Sequence, residues 1–107
     1  MSTTSINLSN QSLYTMRIVG EIPHPSLKIT IFLHDSKYAV KFESGLYEQT
    51  YKFRTGDLIQ SEADIKALVT DELIKEVQIE LTKMHQRKLL AISNWMGEQE
   101  DEFEEII

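Results

Sequence analysis

Hydrophobic positions recur every second residue from Leu13 to Arg54 and then, after Gly56, every three to four. The period-two region breaks at three places, which predicts four short strands. Tyr14, Met16 and Ile18 alternate with Thr15 and Arg17 in the first, which ends at Ile22 because Pro23 and Pro25 have no ladder N–H to give. Leu27, Ile29, Ile31 and Leu33 alternate with Lys28, Thr30, Phe32 and His34 in the second. Tyr38, Val40 and Phe42 mark the third after the Asp35-Ser36 turn. Tyr47, Gln49, Tyr51 and Phe53 mark the fourth after Ser44-Gly45, where glycine tolerates a positive φ. Short connections between the last three predict an antiparallel meander.

The second region predicts two helices. Ser61 with Asp64 resembles a capping box, and Ala63, Ile65, Leu68 and Val69 give a short helix one apolar side. Thr70 caps a second start, with Asp71 and Glu72 beside the positive end of the new helix dipole. From Asp71 the pattern runs to about Met96 and is expected to stop at Gly97. Leu73, Ile74, Val77, Leu81 and Met84 share one stripe, to which Ala91, Ile92 and Trp95 return. The expected fold is α+β: a four-stranded, mainly antiparallel sheet with a short helix and a long C-terminal helix on one face.

The lengths do not match. A helix ending near Met96 is about 39 Å long, whereas strands of seven or eight residues span about 25 Å. The helix is therefore expected to overhang the sheet and to expose Leu89, Leu90, Ile92, Trp95 and Met96, with Leu90 and Ile79 on its far side. Apolar surface of that extent on a soluble chain marks a contact with another molecule. The competing geometry is a kink near Lys88 that folds the second half back on the sheet.

Charge adds a second feature. The net charge of −6 resides in the last ten residues: Glu98, Glu100, Asp101, Glu102, Glu104 and Glu105 are six carboxylates, and the rest of the chain is balanced. Such a segment cannot form a core, so the expected organisation is an N-terminal arm (1–12), one domain (13–97) and an acidic tail (98–107). Phe103, Ile106 and Ile107 make the tail a second candidate contact, since solubility alone gains nothing from them. Two placements are open to the tail: over the basic outer face of the sheet until a partner displaces it, or free in solvent as a solubilising segment.

Candidate chemistry is sparse. The chain has no cysteine, which removes disulfides, thiolate nucleophiles and cysteine metal sites. His24, His34 and His85 fall in a proline loop, at a strand end and on a helix flank, without further ligands at metal spacing. No nucleotide-binding glycine motif occurs among four glycines, and no acid, base and nucleophile converge. A non-enzymatic protein without metal or cofactor is expected. Lys28, Lys37, Lys41, Lys52 and Arg54 with Phe32 give the outer sheet face a basic cast, but overall acidity and the few aromatics argue against nucleic acid. No apolar run approaches a membrane span, and the first twelve residues lack the features of a secretory signal. The chain is thus expected in the cytoplasm.

The block Ile22-Pro23-His24-Pro25-Ser26-Leu27-Lys28-Ile29-Thr30-Ile31-Phe32, followed by Lys37-Tyr38 and by Tyr47-Glu48-Gln49-Thr50-Tyr51-Lys52-Phe53, resembles small structural proteins of tailed, crAss-like bacteriophages. The resemblance is one of texture from residue 14 to about 95. It implies a minor virion component, on the capsid or at the head-tail neck, assembled in the host cytoplasm in homo- or hetero-oligomeric contact with other proteins, with no catalytic residue carried over. The alternative is a small cytoplasmic regulatory or adaptor protein that binds a protein partner through its C-terminal helix and acidic tail.

Overall fold

The structure, a computed structural model, describes residues 16–106, with side chains described to Glu98; the N-terminal arm, Tyr14 and Ile107 lie outside the described residues. Four strands, β1 (Arg17–Ile22), β2 (Lys28–His34), β3 (Lys37–Ser44) and β4 (Tyr47–Arg54), are followed by α1 (Glu62–Leu68) and α2 (Asp71–Ile106). The sheet is an antiparallel meander in the order β1-β2-β3-β4. Both tight hairpins turn on a residue with positive φ, Asp35 at 53° and Gly45 at 58°. The α+β architecture is as the periodicity implies.

One face of the sheet carries the core. Ile29, Ile31, Val40 and Phe42 are fully enclosed, and Ile65 of α1 with Ile74, Val77 and Leu81 of α2 close over them. Tyr51 stands edge-on to Phe42 with ring centroids 6.0 Å apart, and its hydroxyl donates to Gln49 Oε1. Leu73 and Met84 pack at the margin of the same cluster. The first half of the α2 stripe is thus buried as its spacing requires.

Three local readings need correction. Val19 is a bulge in β1: Ile18 pairs with Phe32 but Gly20 pairs with Ile31, so the alternation shifts phase. Ile18 is consequently 59% exposed on the outer face and Met16 is exposed too, while Val19 and Ile22 supply the inward contacts. In the short helix Ile65 and Val69 are buried, but Ala63 and Leu68 face out, because about two turns of helix present only a narrow side to the core. Ile59, in the preceding loop, fills that place instead.

The third correction concerns α2, which passes through Gly97 and continues to Ile106 as one helix of 36 residues. Glycine costs a helix about 1 kcal/mol, and here it follows seven turns already formed and precedes Glu98, Gln99 and Glu100, all good helix formers. Nucleation is complete before Gly97 is reached. The backbone of the acidic segment therefore extends the helix away from the sheet rather than lying over its outer face.

Local capping holds both helix starts. The Asp64 carboxylate accepts from the Gln60 and Ser61 N–H groups at 2.8 and 3.1 Å, and Thr70 Oγ1 accepts from the Leu73 N–H at 3.2 Å.

Candidate interaction surface

The sheet ends before the helix does. Near the end of the sheet, the Tyr47 hydroxyl and His85 Nδ1 lie 2.7 Å apart and the two rings meet edge to face. Lys88 Nζ also reaches the Tyr47 ring, 5.4 Å from its centre. From there the helix runs on alone. At 1.5 Å per residue, α2 is about 54 Å long, of which roughly the last 27 Å, Leu89 to Ile106, projects beyond the sheet. The molecule measures 65 × 46 × 24 Å with a radius of gyration of 20.4 Å. A compact domain of this length has a radius near 13 Å.

Every residue from His85 to Met96 is exposed. Leu89, Leu90, Ile92, Trp95 and Met96 have 52, 61, 42, 58 and 53% of their surface uncovered, and Ile79 on the far side is also open. At 100° per residue, Ile92 and Trp95 continue the stripe of Ile74, Val77 and Leu81. The helix thus has one apolar face, paved by the sheet in its first half and bare in its second. Because α2 is continuous, the kinked alternative with Trp95 against its own sheet does not occur. The side chains of Phe103 and Ile106, like Ile107, lie outside the described residues.

Periodicity did not reveal a groove of about 390 Å³ at the exit of the helix, between α2 and the sheet's end, lined by Leu27, Leu46, Tyr47, Gln78, Leu81 and His85. Gln78 Nε2 donates to Ser26 Oγ across one end of it. Leu46, 84% exposed at the tip of the β3–β4 hairpin, forms its lip. A large apolar residue in a tight polar turn was the one available signal. Leu58 is similarly open.

The remaining polar groups serve local ends. His24 Nδ1 accepts from the Ser26 and Leu27 N–H groups at 3.2 and 3.1 Å, closing the proline loop. His34 Nε2 lies 3.4 Å from Asp35 Oδ2. On the outer sheet face Lys41 Nζ reaches Glu43 at 3.3 Å and Glu48 at 3.7 Å, and it sits 5.2 Å from the centre of the Phe32 ring. The middle of the basic face is therefore internally compensated, as cross-strand charge pairing on a wet surface requires. Among the described residues no three His, Asp or Glu side chains converge as metal ligands would, and no helix is long and apolar enough to cross a membrane.

No family model, curated protein or solved structure matches this chain.

Proposed function

We propose that this protein is a non-catalytic assembly component whose α2 overhang is its main contact, and that it works as a minor structural protein of a phage particle, on the capsid or at the head-tail neck. The bare apolar face of Leu89, Ile92, Trp95 and Met96 carries the reading. Four large apolar residues sharing one side of the projecting helix, with Leu90 exposed on the other, are costly in water and belong against a neighbour. A virion offers such neighbours in fixed positions and many copies, and the textural resemblance between residues 14 and 95 to phage structural proteins supplies the setting.

The test is composition. Mass spectrometry of purified particles from the phage that encodes this chain should find it in stoichiometric amounts, and Ile92→Asp should remove it from particles without unfolding it. Particles that lack the wild-type chain overturn the assignment.

A further inference from the structure

The two edges of the sheet are unlike. At β1 the Val19 bulge breaks the line of peptide groups, and the Glu62 carboxylate of α1 lies so close to Gly20 that a Cβ there would collide with it. That edge is blocked. β4 pairs with β3 over all eight of its residues without a bulge, proline or glycine, and among the described residues no strand adjoins its other side. The Thr55 N–H donates to the Ser36 carbonyl at 2.9 Å, which fixes the phase of the ladder. Backbone groups of the odd-numbered residues of β4 therefore face β3, and those of Glu48, Thr50, Lys52 and Arg54 face outward. All four outward residues are exposed.

The β3–β4 ladder also leaves charge unanswered. Lys37 stands directly opposite Arg54 and Glu43 directly opposite Glu48, both in the closer, non-hydrogen-bonded kind of pair, where like charges repel. Lys41 answers the two glutamates. Among the described residues no carboxylate forms an ion pair with Lys37 or Arg54. A second β4 laid antiparallel along the free edge, and centred on Tyr51, would set Glu48 opposite Arg54 and Thr50 opposite Lys52, each twice. The acidic pair of one copy then adjoins the basic pair of the other at both ends. Lysine on an edge ordinarily deters pairing, but in this register no like charges meet. A centre on Thr50 would leave Arg54 beside the hairpin turn, and a centre on Lys52 would set lysine against lysine. On the helix-bearing face the same centre brings two Tyr51 side chains together. Tyr51 is 40% exposed, so α2 leaves the middle of this edge open.

We infer that β4 is a self-association edge, along which the β4 of a second copy pairs antiparallel about Tyr51 to continue the sheet from one copy into the other. Roughly eight N–H···O bonds join the copies. This contact is separate from the α2 overhang and goes beyond the assembly reading, so either can fail alone.

Sedimentation equilibrium of the Ile92→Asp chain, in which contacts of the overhang are removed, should still give a dimer. In that chain E48R and R54E should each weaken pairing about tenfold or more, since each sets like charges opposite one another at two places. An equimolar mixture of the two should restore it, because positions 48 and 54 then attract at both. R54E also turns the Lys37–Arg54 repulsion within the chain into an attraction, so loss of folding would not explain its loss of pairing. Since the chain has no cysteine, mild oxidation of single-cysteine variants reports the register. Tyr51→Cys should form a disulfide between copies, its two Cα atoms lying about 4.5 Å apart. Gln49→Cys should not, because its two positions stand about 13 Å apart along the strands. A monomer at all concentrations, a dimer indifferent to both charge reversals, or Gln49→Cys bonding as readily as Tyr51→Cys overturns the inference.

Discussion

Trp95→Ala separates folding from association on one helix. Trp95 is 58% uncovered, and a large aromatic side chain buries about 150–250 Å² when enclosed, so roughly 90–145 Å² awaits a partner. At about 25 cal/mol per Å² this corresponds to about 2–4 kcal/mol of association per Trp95, a weakening of roughly 30-fold to several hundred-fold. Folding should respond differently, because Trp95 is exposed and is not among the residues packed on the core, and alanine is the better helix former by about 0.5 kcal/mol. The assay is urea unfolding at a concentration where the chain is dissociated, together with sedimentation equilibrium above it. Val77→Ala, on the same helix face but 1% exposed, provides the contrast and should cost about 2 kcal/mol of folding stability. If Trp95→Ala lowers the stability of the dissociated chain by more than about 1 kcal/mol, the residue packs on its own domain and the reasoning fails. Unchanged association would show that the face is not used.

Three further outcomes follow from the packing. Ile65→Ala, which empties a fully buried position between α1 and the sheet, should cost about 2–5 kcal/mol in chemical unfolding. Asp64→Ala should cost about 1 kcal/mol by the same measurement, since two backbone N–H groups at the start of α1 lose their acceptor. Gly97→Ala should stabilise the overhang by up to about 1 kcal/mol, because no atom lies within 4 Å of where the new Cβ would sit. Slower amide exchange from Asn94 to Asp101 would register it, and faster exchange there would contradict a helix that runs through this residue.

The fold was legible wherever one face of an element is wet and the other dry. β2 and β3 show their core residues Ile29, Ile31, Val40 and Phe42 by sequence alternation, although Thr30 and Ala39 on the opposite face are buried as well, and Leu73 to Met84 show theirs by helical spacing. What escaped was whatever alternation does not encode. The bulge at Val19 changes phase in mid-strand without any residue type that announces it. Gly97 reads as a stop on propensity alone, yet a long helix tolerates one weak link when strong formers flank it. The overhang was readable because it needed only two lengths to be compared. The groove at the helix exit was not, since it depends on where Leu46 and His85 meet, far apart in sequence and close in space.

A rod of unbroken helical backbone has a consequence for how this chain tolerates insertions and deletions. Each residue added to or removed from Leu89–Met96 turns everything beyond it by 100° and displaces it by about 1.5 Å. Losing one residue would swing the helix beyond it to another heading, whereas losing seven would restore that heading to within about 20°. Length variation in this stretch should therefore come in steps of seven, so that natural variants shorten the reach of the rod without changing its aim.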